Sequence, residues 1–68
     1  MKVTLQAKAT NYHFNVNRDN TDYRVVVWMN EKGKFDEVEI YRGDDIIDDD
    51  VIQDEIETYL DTNWDKLT

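Results

Sequence analysis

The side chains best suited to chemistry in this sequence are carboxylates, sixteen among 68 residues. Five of them recur at steps of three and four near the C-terminal end: Asp50, Asp54, Glu57, Asp61 and Asp65. On a helical wheel with Ile52 at zero, these five fall between about 140° and 220°, so a helix would place them on one face. We call this set the acidic face. Its chemistry is attraction of a basic partner surface, which would speed encounter.

Enzymatic chemistry finds little support in the composition. The chain has no cysteine and no serine, so the usual nucleophiles are missing. His13 is the only histidine and falls on the polar side of its predicted strand. The two glycines, Gly33 and Gly43, are too few for a loop that cradles phosphate. The sequence therefore predicts that the protein is not an enzyme and has no catalytic residues.

The aspartates of residues 44–50 could offer oxygen ligands to Ca²⁺ or Mg²⁺. An EF-hand loop starting at Asp48 fails, because its sixth position is Gln53 rather than glycine and its twelfth is Tyr59 rather than glutamate. Helix capping explains these aspartates better. We predict no metal site and no cofactor.

The acidic face belongs to a predicted amphipathic helix over about residues 49–64. Apolar side chains lie at helical spacing on the side opposite the acids, and Trp64 lies at the edge of the apolar stripe. Asp50 with Gln53 has capping-box spacing, whereas Asp48 as the cap would let Ile47 and Ile52 form a hydrophobic staple. Asp49 is a competent N-cap as well, so all three aspartates stay open as the cap. The apolar stripe comprises Ile52, Ile56, Tyr59, Leu60 and Leu67.

Alternating apolar residues predict strands near residues 2–8, 12–17, 23–29 and 35–41. The apolar parity switches between the first two, so residues 2–17 form either a hairpin or one bulged strand. Strands followed by one helix indicate an α+β fold, in which the helix packs on one face of a three- or four-stranded antiparallel sheet. The length predicts a single domain over residues 1–68.

The hairpin register decides which face the helix covers. A loop of residues 31–33 would pair Asn30 with Lys34 and place four apolar side chains on one face: Val26, Trp28, Val38 and Ile40. We expect the helix on that face, because acids in the same strand, Glu37 and Glu39, would be costly under a helix. The other face would stay partly uncovered, and its predicted members are Tyr23, Val25, Val27, Met29, Phe35 and Tyr41.

Charge is distributed unevenly along the chain. Residues 1–35 carry a net charge of +3 and residues 36–68 a net charge of −11, which together give −8. Nucleic acid and anionic membrane surfaces would repel such a protein. The first ten residues lack the apolar run of a signal peptide, and the absence of cysteine fits a reducing compartment. We expect a cytoplasmic protein that binds neither nucleic acid nor membrane directly.

Residues 36–65 are similar in composition to DNA-mimic proteins, including phage-encoded inhibitors of restriction, repair or CRISPR machinery, although they share no motif with them. Carboxylates three and four residues apart on a helix lie roughly 5–6 Å from one another, comparable to successive backbone phosphates. The resemblance implies an inhibitor that occupies a basic surface of a nucleic-acid-binding protein. The expected binding residues are Asp48, Asp49, Asp50, Asp54, Glu57, Asp61, Trp64 and Asp65.

A second hypothesis makes the protein an assembly module. An apolar patch of several hundred Å² seldom stays bare on a monomer, so the predicted uncovered face could pair with itself or bind another subunit. The acids would then serve only solubility. A homodimer fits either hypothesis.

Overall fold

The computed structural model describes all 68 residues and confirms the α+β class. The chain forms five strands and then two short helices, and the sheet therefore has at least one strand more than predicted. The elements are β1 (Lys2–Lys8), β2 (Tyr12–Arg18), β3 (Thr21–Met29), β4 (Phe35–Arg42), β5 (Asp45–Ile46), α1 (Asp50–Thr62) and α2 (Trp64–Leu67). The strands follow one another in the order β1-β2-β3-β4-β5, each antiparallel to its neighbours.

The first two strands form a hairpin, which resolves the alternative left open by the sequence. Leu5 lies opposite Phe14 and Val3 opposite Val16. The register shifts between Leu5 and Ala7, which places Gln6 in a β-bulge and moves Ala7 opposite His13 on the other face. An inserted residue of this kind ends simple alternation.

A two-residue turn at Asp19 and Asn20 joins β2 to β3. Both residues have positive φ, 51° and 62°, which is the conformation that a tight hairpin turn requires and that aspartate and asparagine tolerate. The polar stretch of residues 17–22 is therefore mostly strand. Arg18 pairs directly with Thr21 across the turn.

A second bulge controls the register of β3 and β4. The Asn30 amide donates to the Lys34 carbonyl at 2.9 Å, and Gly33 has φ of 76°, as the predicted loop requires. Beyond Met29 and Phe35, however, Trp28 lies opposite Glu37 rather than Asp36. Asp36 is the extra residue. Continued from the Asn30–Lys34 pair without a bulge, the predicted register would place Trp28 opposite Asp36 and Val26 opposite Val38, and it is therefore wrong by one position.

This shift reverses the predicted packing of β3. Val27 lies opposite Val38 and Val25 opposite Ile40, because a one-residue change of register moves every later side chain of one strand to the other face. The helix therefore covers Val25 and Val27 instead of Val26 and Trp28. The fully or nearly fully buried core consists of Phe14, Val16, Tyr23, Val25, Val27, Ile40, Ile56 and Leu60.

The expectation that β4 keeps its acids away from the helix agrees with the register. Val38 and Ile40 face the core, so Glu37 and Glu39 face the opposite way. The β3 residues and Phe35, which precedes the bulge, were assigned to the wrong face. The uncovered side of the central strands, which we call the uncovered sheet face, carries His13, Asn15, Arg24, Val26, Trp28, Glu37, Glu39 and Tyr41.

Helix α1 crosses the core face with Ile56 and Leu60 fully buried. Each contributes about 1.5–3 kcal/mol by leaving water. The short strand β5 leads into it, with Ile46 opposite Tyr41. The sequence did not predict β5, because its only two residues, Asp45 and Ile46, lie in an aspartate-rich run with no alternating pattern.

Candidate functional site

The acidic face begins at a well-defined helix N-terminus. Asp49 has an extended backbone, and its carboxylate accepts hydrogen bonds from the amides of Val51 and Ile52 at 3.0 and 3.1 Å. Asp49 is therefore the N-cap, rather than Asp48 or Asp50. Its neighbours Asp48 and Asp50 are exposed, and their side-chain carboxylates accept no hydrogen bond from the helix amides.

Helix α1 presents the acids away from the core, as the wheel predicts. Asp50, Asp54 and Asp61 are exposed and Glu57 is half-buried, while Ile56 and Leu60 face the sheet. One backbone element holds four carboxylates, so their spacing follows from helix geometry rather than from loop conformation.

Asp65 is separated from this row by a break in the helix. Asn63 ends α1: its backbone amide and side-chain amide both donate to the Tyr59 carbonyl, at 3.1 and 2.9 Å. Asp65 is exposed but lies in α2, one helical segment later. The continuous part of the acidic face therefore runs from Asp50 to Asp61.

None of these carboxylates has a cationic partner within the protein. The ion pairs in the structure are those of Arg18 with Asp19, at 3.6 Å, and of Arg18 with Glu55. Glu55 lies on α1 but outside the acidic face. A row of neighbouring like charges without counterions raises the free energy of the helix by roughly 0.2–0.5 kcal/mol per pair.

Trp64 has a structural role in the fold. It is half-buried, and its ring meets the rings of Tyr12, Phe14 and Phe35 edge-on, with centroids 4.8, 5.6 and 5.2 Å away. Edge-to-face pairs of this kind contribute about 0.5–1.5 kcal/mol beyond burial. This packing accounts for Trp64 without a partner, although it was included among the expected binding residues.

Most of the six residues predicted to form the alternative interface do not lie on the uncovered side of the sheet. Tyr23, Val25 and Val27 are buried beneath the helix, so no partner can contact them in this fold. Met29 and Phe35 are half-buried and pack against the same core. Of the six predicted residues, only Tyr41 lies on the uncovered sheet face.

The uncovered sheet face is polar and internally connected. Val26, its central apolar residue, is only 6% exposed. The Arg24 guanidinium stacks over the Tyr41 ring at 4.6 Å, and the Tyr41 hydroxyl donates to Glu39 at 2.6 Å. That hydrogen bond, with a smaller contribution from desolvation, raises the pKa of Tyr41 above its usual 10.0. The apolar side chains that remain accessible on this side are Trp28, which is half-buried, and Ile46, which lies opposite Tyr41 and is exposed.

A groove between α1 and the end of β2 has no counterpart in the sequence analysis. Arg18 and Val51 line it together with Met1 and Tyr59, and Asp50 and Asp54 of the acidic face lie along it. Arg18 and Glu55, which meet there, are 37 residues apart. No local pattern in the sequence could have brought them together.

His13 is held by a contact of 2.6 Å between its Nε2 atom and the Asn11 side-chain oxygen. No group of three or more histidine, aspartate or glutamate side chains is arranged to hold a metal ion. No helix has the length and apolar character needed to span a membrane.

Comparisons with known proteins yield no relatives: no family model, no curated protein and no solved structure matches the chain. Function must therefore be inferred from the side chains that this fold exposes. Among these, the acidic face is the largest set of one kind.

Proposed function

We propose that this is a non-enzymatic binding protein whose acidic face occupies a basic, nucleic-acid-binding surface of a partner protein, as a DNA mimic would. Occupation of that surface would inhibit the partner. One observation carries the proposal: the carboxylates of the acidic face on α1 are set at helical spacing, and none has a cationic partner within the chain. They belong to Asp50, Asp54, Glu57 and Asp61.

Repulsion between the carboxylates of the acidic face supports binding of a basic partner. Asp54, Glu57 and Asp61 repel one another in the free protein, and lysine or arginine from a partner would relieve that repulsion while forming charge-assisted hydrogen bonds. Since α1 is anchored by Ile56 and Leu60, the row is preorganised and binding orders little additional backbone. A net charge of −8 also accelerates approach to a basic surface.

The partner belongs to the proteins that handle nucleic acid, because their binding channels are lined with cations spaced for a phosphate backbone. Nucleic acid itself repels the acidic face. A cytoplasmic location, where such machinery is accessible in a cell without a nucleus, forms part of the proposal and agrees with the absence of cysteine.

Two triple variants with equal net charge test this function. The first, Asp54→Asn, Glu57→Gln and Asp61→Asn, neutralises three of the five carboxylates of the acidic face. The second neutralises three exposed acids elsewhere, through Glu31→Gln, Asp36→Asn and Glu37→Gln. We expect wild type and the second variant to capture a nucleic-acid-binding protein from cell extract at low salt and the first variant to lose it.

The captured protein is then purified and its binding to a labelled duplex is measured. Wild type should displace the duplex, with a potency that falls as salt rises, since screening weakens exposed charge pairs. Equal capture by both triple variants, or a partner whose nucleic-acid binding is unaffected, would refute the proposal.

The assembly hypothesis loses its predicted interface, because most of those residues are buried or half-buried in the core. The face that is uncovered carries charged residues beside Val26, which is buried, and Trp28, which is half-buried. We therefore do not propose it as a second function.

A further inference from the structure

The groove beside the acidic face brings together apolar side chains that the fold leaves exposed. Only three large hydrophobic residues in the chain are exposed, and two of them, Val51 (71%) and Met1 (44%), line this groove. Tyr59, half-buried, lines it too. Val51 lies in the first turn of α1, and its side chain is too exposed to contribute to the core.

The charge of the groove is strongly negative. Asp19, Asp50, Asp54 and Glu55 line it with a single side-chain cation, Arg18. Arg18 is already engaged by Asp19 and Glu55. The carboxylates of Asp50 and Asp54 therefore stand beside exposed apolar carbon with no basic side chain to pair with.

A lysine side chain matches this combination. Its four-carbon stem covers apolar surface while its ammonium group remains available to carboxylates at the edge. A second copy of this chain is a poor occupant, because each copy carries a net charge of −8. A purely apolar ligand would leave Asp50 and Asp54 without counterions.

We propose that the groove receives a lysine side chain from a basic segment of the partner protein, with its stem against Val51 and Tyr59 and its ammonium group on Asp50 and Asp54. This inference deepens the proposed function and rests on it for the identity of the partner as a basic protein. Binding of a lysine to the groove, however, can be measured without that partner.

The probe is a short fluorescent peptide of alternating lysine and glycine residues, titrated against the folded protein by fluorescence anisotropy. A companion peptide replaces each lysine with diaminobutyric acid, which keeps the charge and shortens the stem by two methylene groups. We expect the lysine peptide to bind several-fold more tightly, because only its stem reaches the apolar lining.

Two matched pairs of variants locate the binding. Asp50→Asn with Asp54→Asn should weaken the lysine peptide by about fivefold. Glu31→Gln with Glu37→Gln removes the same charge outside both the groove and the acidic face, and should change affinity less than about twofold. Thr58→Phe, which fills the groove without changing charge, should weaken binding, while Thr4→Phe, on exposed β1, should not. Circular dichroism of each variant serves as the control for folding.

Equal affinity of the protein for the two peptides would overturn the proposal. So would equal losses of affinity within either pair of variants. In both cases general charge attraction would account for the binding. The outcome is separable from that of the proposed function. If duplex competition succeeds but the peptide pattern fails, the groove is excluded and the acidic face retained. If the peptide pattern holds but the captured protein does not handle nucleic acid, lysine recognition stands and DNA mimicry fails.

Discussion

At the scale of single residues, one aspartate in a run of three has a distinct role. Asp48, Asp49 and Asp50 are chemically identical, but only Asp49 has the extended backbone and the orientation to accept from two helix amides. Asp48 and Asp50 remain exposed. The three residues therefore separate into one that stabilises α1 and two that are free to meet a partner.

This division predicts unequal effects of alanine substitution. Asp49→Ala should lower the free energy of unfolding by about 1 kcal/mol, because two helix amides lose their acceptor. Asp48→Ala removes the same charge but no cap, and should change stability by less than about 0.5 kcal/mol. Urea denaturation at neutral pH measures both, and equal effects would contradict the assignment of the cap.

The sequence narrowed the cap to three adjacent residues but could not choose among them. The choice depends on the angle at which the chain enters the helix after β5, and β5 was not predicted. Trp64 illustrates the same limit. Its position at the edge of the apolar stripe left its role undecided until its contacts with Tyr12, Phe14 and Phe35 assigned it to the core.

At the scale of elements, the bulge at Asp36 decides which side chains the helix covers. The ladder on one side of the bulge pairs Met29 with Phe35, and on the other pairs Trp28 with Glu37. Asp36 is therefore additional to an otherwise regular alternation in which Phe35 and Val38 face the core.

Deletion of Asp36 should consequently be tolerated. Phe35 and Glu37 would become consecutive and would still lie opposite Met29 and Trp28, so Val38 and Ile40 would keep their places in the core. Deletion of Glu39 is the control, because it moves Ile40 to the other face of the sheet. We expect the Asp36 deletion to remain folded and the Glu39 deletion to unfold. Circular dichroism and thermal melting would measure both outcomes.

Nuclear magnetic resonance adds a direct check of the register. The contact between Val27 and Val38 should persist in the Asp36 deletion. An unfolded Asp36 deletion would mean that the hairpin turn depends on the bulge, contrary to this interpretation of β4.

At the scale of the whole molecule, the uneven charge predicts that the carboxylates which favour partner binding also lower the stability of the fold. The pairs Asp50–Asp54, Asp54–Glu57 and Glu57–Asp61 are helical neighbours of like charge, so neutralising Asp54, Glu57 and Asp61 should stabilise the protein by about 1 kcal/mol. The same triple variant should lose its partner. A surface that costs stability to maintain is expected where binding requires it.

Salt provides the test of this prediction. Raising the ionic strength from about 0.01 to 0.15 M shortens the screening length from about 30 to 8 Å, and should raise the melting temperature of wild type more than that of the triple variant. The second triple variant, with substitutions at Glu31, Asp36 and Glu37, has the same net charge as the first. Its melting temperature should nevertheless respond to salt as that of wild type does. Equal responses of all three proteins would show that the acidic face carries no particular repulsion.

The sequence by itself determined the fold class, four of the five strands, the approximate position of α1 and the side of α1 that carries the acids. These follow from periodicity, which is a local property and is readable over a few residues. The predicted helix over about residues 49–64 is interrupted at Asn63, which the sequence did not predict. The exposed positions of Asp54 and Asp61 follow from helix geometry, which turns them away from the side that buries Ile56 and Leu60.

Only the tertiary structure decided the sheet face under the helix, the cap, the role of Trp64 and the groove beside Arg18. Each depends on register or on contacts between distant parts of the chain. A single extra residue at Gln6 or Asp36 reverses the facing of a strand while leaving its composition almost unchanged, so the alternating pattern alone could not reveal it.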